Sequence, residues 1–545
     1  MSRSLLHLAL LSVIALGVAN SFPFACPGSP AVTMVADIVP GADSSDPWAF
    51  AAMDGFVYFS AYTPEFGNEL WRTDGTAAGT SLVSDIYTGS NHSAVMSLTP
   101  IDNILFLHAS DETHGGELWR SDGTDAGTWM VRDIAPGAGW GNPWSLTNLD
   151  GTLMFCANDG IHSNELWRSD GSEAGTLLVR DIDERPTYGS SLDWMIYYDH
   201  SVYFRGVEGT YGGELWTSDG TEAGTRLVRD INPGIASSDP QTGAVLDDVL
   251  YFRARTPEHG TEIWRTDGTE SGTEIAIELA PGSESFDPMG LVSMADLLFF
   301  IANDGVHGHE LWISDGSPAG THMVRDINPG TPNGAHGDFQ VVDSLVYFVG
   351  DDGIHGSELW VTDGTAAGTH LVADIRPGPE GSDPDLRGIF EDVLFFAADD
   401  GIHGRELWMV GGSTNAVPHV PTTRVHVGSV YMEGIAVHVT LRNLGDGELT
   451  ADCEITLGVS YDRTWIPEFP THFATIDLGE VAVPSRGEVV LTFSMPSVPQ
   501  GVWGVLQERL ETVWTDYEDR DPSTDYIGLI IELDEDVMYG FIPAG

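Results

Sequence analysis

The chain has 545 residues, a formal net charge of −59 and 23 basic residues, every one an arginine. With 42% hydrophobic and 10% aromatic residues it has the apolar surface for a folded core, which excludes a disordered acidic polymer. The charge argues against nucleic acid and anionic lipid as partners. Three cysteines in three separate regions, Cys26, Cys156 and Cys453, exclude a disulfide scaffold.

In chain order, residues 1–21 read as a signal peptide. Arg3 gives a short positive start, Leu5 to Val18 is apolar apart from His7 and Ser12, and Gly17-Val18-Ala19 offers a small-x-small cleavage site. No later stretch is long and apolar enough to span a bilayer. The expectation is a secreted or cell-surface protein, extracellular and without membrane insertion after signal cleavage.

Residues 32–411 are a repeat. ELWRTDGTAAGT starts at Glu69 and returns, with small changes, from Glu117, Glu165, Glu214, Glu262, Glu310 and Glu358. A truncated copy, ELWMVGGS, starts at Glu406. The tryptophans recur every 48 residues, once 49. Each unit holds four short strand-like runs separated by Gly, Pro, Asp and Ser clusters, and none has sustained helical periodicity. They are an LVxDI run, a run after an SSDP-type loop, an aromatic-rich run, and ELW. Four strands per unit and eight units predict an eight-bladed β-propeller, with a β-solenoid as the alternative.

The array's ends are complementary. The first LVxDI-type segment, Met34 to Ile38, has no ELW before it, and the last ELW has no LVxDI after it. The spacing therefore predicts that the segment around Val35–Ile38 completes the last blade beside Leu407–Met409 and removes the open edge. With LVxDI outermost, the PGxxSSDP and DGxHG loops share one face and the DGTxAGT hairpins occupy the other.

Residues 412–422 read as a linker. From 423 to 545 the pattern changes to alternating strands between Pro- and Gly-rich turns, which predicts an immunoglobulin-like β-sandwich. The fold class is thus all-β, an eight-bladed β-propeller followed by that sandwich.

The eight ELW units resemble the bacterial ELWxxDGT repeat family, which implies a secreted bacterial repeat protein and no particular activity. Two positions depart from the pattern: LVxDI has become Ile277-Glu278-Leu279, and the last SDG has lost its Asp before Gly411. The C-terminal segments Val439–Leu457 and Ile476–Pro496 resemble the CARDB domain, which implies an accessory or adhesion module.

The repeated tryptophan, on a strand packed on both sides, is read as core rather than a sugar-stacking face. The Asp of SDGT precedes Gly in a hairpin, so it caps the turn or ligates a metal. Histidine stands three residues before Glu in six units, including His162, His307, His355 and His403. These four are candidates for a ligand-binding face. The neighbouring loop acids Asp159, Asp304, Asp351 and Asp399 are the candidate metal ligands. Ca²⁺ is the cation such a face would take, although the DxDxDG and GGxGxD calcium loops are absent from the sequence.

Catalysis needs a constellation that breaks the repeat. The fourth unit deviates most, with Arg185, Tyr188, Trp194 and His200 near an inserted residue. GxSxG, HExxH and phosphate-loop motifs are absent. The sequence therefore reads as a non-catalytic binding or adhesion module, with no assigned catalytic or cofactor-binding residues. Its partner would be an extracellular glycan or a surface protein. The rival reading is an extracellular polysaccharide-acting propeller hydrolase or lyase. Repeat-breaking polar residues gathered at one channel mouth would favour an enzyme; scattered ones would favour a scaffold.

Overall fold

A computed structural model of the chain describes residues 31–411, except 184, 186–188, 191, 280, 281, 283, 284 and 391, together with seven backbone strands between 425 and 543. The period-2 segments of the repeat form eight four-stranded antiparallel sheets. The first blade runs Trp48–Met53, Phe56–Thr63, Gly67–Thr73 and Ser81–Ser84, from inner to outer edge. The next six repeat this order. Neighbouring inner strands touch all the way round, and the inner strand of the eighth blade, Asp385–Phe390, meets that of the first. The ring is a closed eight-bladed β-propeller.

Closure follows the complementary truncation. Strand Ala31–Ala36 pairs antiparallel with Arg405–Gly411, with Met34 opposite Trp408 and Ala36 opposite Leu407. The predicted span is corrected at one end: the strand stops at Ala36, after a bulge between Met34 and Ala36. The Ile38 N–H instead donates to the Glu406 carboxylate at 2.9 Å. A side-chain acceptor has replaced the next rung of the ladder.

Eight apolar clusters fill the eight boundaries between blades. Trp119 packs on Tyr58, Leu70 and Val83 of the preceding blade, and the other repeat tryptophans lie in equivalent positions. Burying each contributes roughly 2–3 kcal/mol. Polar staples add to this. Arg132, Arg180 and Arg229, the variable residue of LVxDI, donate to the carbonyls of Thr176, Thr225 and Thr273 in the next blade's hairpin. Arg325 reaches Thr369 in the same way at 2.6 Å.

In the C-terminal unit, Val425–Glu433, Ala436–Asn443 and Glu488–Ser494 form one antiparallel sheet. His472–Val483, Leu449–Tyr461, Asp525–Leu533 and Asp536–Pro543 form another. The signal segment and the linker lie outside the described residues.

Candidate functional site

The most repeated polar group is the glutamate of ELW. All eight, from Glu69 to Glu406, are fully buried. Each sits at the start of a third strand, beside the loop that leaves the outer strand for the next blade. There it accepts backbone N–H groups some seventeen residues on. Glu214 accepts from Ile231 N–H and Ser238 N–H, both at 2.8 Å, and from the Ser238 hydroxyl at 2.6 Å. Glu117 accepts from Ile134, Ala135 and Gly141. Glu406 accepts from Ile38, Val39 and Ser45 across the closure. Loop N–H groups without strand partners need such an acceptor when buried. Burial pushes the Glu69 carboxyl up to about 8. It pushes Glu117, Glu165, Glu214, Glu310 and Glu358 up to about 7, against the pull of their N–H donors.

The SDGTxAGT hairpin is similarly self-contained. Asp74 Oδ1 accepts the N–H and the hydroxyl of Thr76 at 2.9 and 2.7 Å. The Thr76 hydroxyl then accepts the Gly79 N–H at 3.0 Å. Gly75 has φ +88°, the left-handed region where glycine carries no Cβ penalty. A Cβ on Gly79 would lie 2.0 Å from the Asp74 carboxylate. The same contact recurs in the other six complete hairpins. Of the two readings for this aspartate, the geometry supports the turn cap: one carboxylate oxygen is committed inside the loop.

On the opposite face stand the DGxHG loops. Asp159 Oδ1 accepts from Ile161 and His162 N–H at 2.8 Å, and Oδ2 lies 2.8 Å from His162 Nδ1. Asp304 and His307 repeat this, with Oδ2 2.7 Å from Nδ1. Burial raises Asp159, but the N–H and imidazole donors of His162 outweigh it and hold the carboxyl below its usual range. The Asp159 hydrogen bond raises His162, and Asp304 does the same to His307.

The other two candidate acids are placed differently. Asp351 accepts from Gly353 N–H at 2.7 Å. Asp399 accepts from Gly401 N–H at 2.7 Å and bonds Arg376 at 2.9 Å. It is Asp352 and Asp400 that pair with His355 and His403. The candidate metal ligands thus already have partners in their own loops. Among the described residues no group of three His, Cys, Asp or Glu side chains is arranged to hold a metal ion. The candidate histidines share one face, one per blade, and each is tied to its own loop.

The deviating fourth blade does not converge. Arg185 bonds Asp183 in a loop on the His face. His200 stands in a turn on the hairpin face, 2.8 Å from Asp150. Trp194 lies on the inner strand and stacks on Phe252, centroids 6.3 Å apart. Tyr188 is outside the described residues.

What the motif search missed is the inner strand. Each carries a bulge opposite the second strand. At several bulges a non-glycine residue has positive φ: Ala49, Ser97, Ser145, Trp194 and Thr242. The bulged segments of blades 1, 2, 5, 6, 7 and 8, among them Ala49, Ser97 and Thr242, line an axial cavity of about 500 Å³. The signal was in the sequence as variability: Trp48, Met96, Trp144 and Asp385 begin runs whose neighbours repeat closely.

No protein-family model matches the chain, and no curated protein matches it. Solved structures do. A puromycin hydrolase is 12% identical over 65% of this chain and 59% of its own, with a TM-score of 0.40. The β-propeller domain of the Trilobed protease from Pyrococcus furiosus is 11% identical over 61% of this chain and 98% of its own, with a TM-score of 0.37. Sqt1 from Saccharomyces cerevisiae is 11% identical over 69% and 99%, with a TM-score of 0.38. The matched region spans less than two thirds of the hydrolase chain.

Proposed function

We propose that this protein is a secreted or cell-surface binding module of the ELWxxDGT repeat type, non-catalytic, with a CARDB-like sandwich as its accessory domain. One observation carries the reading. The polar side chains that recur from blade to blade are committed to holding the ring. Glutamate staples one set of loops, aspartate caps the hairpins, and histidine pins the loop tips. The residues that break the repeat in the fourth blade are dispersed over both faces, as a scaffold requires and a catalytic constellation does not. What remains variable is the inner-strand surface, where a ligand would be chosen.

The test uses the full chain on insoluble polysaccharides and cell-envelope preparations. Retention is measured in parallel with release of reducing ends and unsaturated products. Retention without product supports the proposal. Steady product release in proportion to protein, or no retention on any preparation, overturns it.

A further inference from the structure

One sector of the axial cavity breaks the eightfold pattern in its chemistry. It lies where blades 7, 8 and 1 meet. Arg387 is the bulged residue of the eighth inner strand, between the paired Leu386 and Gly388. Its Nε donates to Asp385 at 2.8 Å, and its terminal nitrogen lies 3.5 Å from Asp338 of the seventh blade. The guanidinium is bracketed by two carboxylates from different blades. The next blade supplies Trp48. A Cβ on Gly388 would touch Phe50 at 2.9 Å, which sets the two inner strands edge to edge. Trp48 is 38% exposed, against 4% for the motif tryptophans Trp167 and Trp360, so its indole faces open space rather than a blade boundary.

We propose that this sector is a binding subsite for a neutral sugar residue. Trp48 is its stacking platform, and the Asp338–Arg387–Asp385 chain is its hydrogen-bonding edge. The inference rests on the binding-module reading and names the ligand class of that module. Three arguments select a neutral saccharide. The exposed Trp48 indole lines the cavity, and such a ring suits the C–H face of a pyranose. The polar edge alternates acceptor, donor and acceptor, which matches hydroxyls that both donate and accept. The local balance is two carboxylates against one guanidinium, in a chain of net charge −59. An anionic ligand meets repulsion there. A cation meets no such repulsion, but an ammonium group has no lone pair to accept from the Arg387 guanidinium at the middle of the edge. A cavity of about 500 Å³ lies within the range of small-ligand sites.

The experiment is isothermal titration of the full chain with defined probes. They are cellotetraose, maltotetraose, xylotetraose and galactotetraose as neutral sugars, tetragalacturonate as the anion, and spermidine as the cation. The expected result is binding of at least one neutral tetraose. Trp48→Ala and Arg387→Met should each weaken it at least tenfold. Trp129→Ala, which changes an equally exposed indole on an outer strand, should leave it unchanged. Binding of the charged probes alone, binding of none, or wild-type affinity in both channel variants overturns the inference. If Trp48→Ala misfolds by circular dichroism, Arg387→Met decides. Retention on polysaccharide that survives both variants removes the channel site and leaves the binding-module reading standing. Product release removes that reading instead.

Discussion

Glu214 is the sharpest place to test how the loops are held. Replacing it by alanine leaves the Ile231 and Ser238 N–H groups and the Ser238 hydroxyl without the acceptor they share. Glu214 and Ser238 are fully buried and Ile231 nearly so, so water does not replace the acceptor freely. At about 1–2 kcal/mol for each orphaned buried donor, the loss is about 3–6 kcal/mol. For a propeller of roughly 380 residues, with an unfolding entropy near 2.1 cal/mol/K per residue, that lowers the melting temperature by roughly 4–8 °C. Glu214→Gln keeps one acceptor oxygen but turns donors toward donors, and should fall between alanine and wild type. Calorimetry gives the shift, and amide exchange at Ile231 and Ser238 gives its location. Melting within a degree of wild type for both variants, with unchanged exchange at those amides, would refute the idea that the glutamate staples the loop.

The same glutamates set a pH dependence. Their folded pKa values lie near 7–8, above the ordinary carboxylate value. Stability from this source is therefore complete below about 4.5 and lost as pH rises through 7–8. The raised histidines His114, His162, His307 and His403 act in the same direction. Their depressed partners, such as Asp159 and Asp304, give stability that is lost only as pH falls through their folded values, below 3.8. Melting temperature should thus be higher at pH 5 than at pH 9, and a flat profile between them contradicts the assignment. Gly79→Ala puts a methyl 2.0 Å from the Asp74 carboxylate and should cost about 1–3 kcal/mol; urea unfolding with an unchanged midpoint would count against the clash. Millimolar Ca²⁺ should give the same melting temperature as NaCl at matched ionic strength, because Asp159, Asp304, Asp351 and Asp399 already have hydrogen-bond partners; a chelator-reversible rise would reinstate a metal site.

The fold was legible because it is written eight times. Strand spacing, glycine positions and the missing halves of the first and last units lead directly to a closed ring. The limit of the outer strand was less legible. LVxDI reads as five strand residues, yet the ladder stops short of the aspartate because a buried glutamate takes the following N–H. Nothing in a period-2 pattern marks a distant side chain as the partner of a backbone group. The candidate face was half legible. Histidines and aspartates were placed together correctly on one side of the ring. Their spacing could not show that each Asp–His pair closes on itself, three residues apart in one turn.

Both shortfalls have the same origin. A motif search rewards what recurs, and in a propeller recurrence marks what every blade needs to hold its neighbours. A closed ring makes those demands alike at all eight boundaries, so glutamate, aspartate, glycine and tryptophan are fixed by packing and hydrogen bonding. In the proposed binding module, selection for a ligand would act on one sector of the axis and leave its trace as departures from the repeat. Arg387 is such a departure: a charged side chain at the strand position where other blades place Phe50, Leu98, Gly243 or Leu291. Trp48 has a counterpart only in Trp144 of blade 3 among these strands, since blade 2 begins its inner strand with Met96, blade 5 with Gln241 and blade 8 with Asp385. The repeat itself therefore describes the frame, and the deviations on its inner strands are where recognition is to be sought.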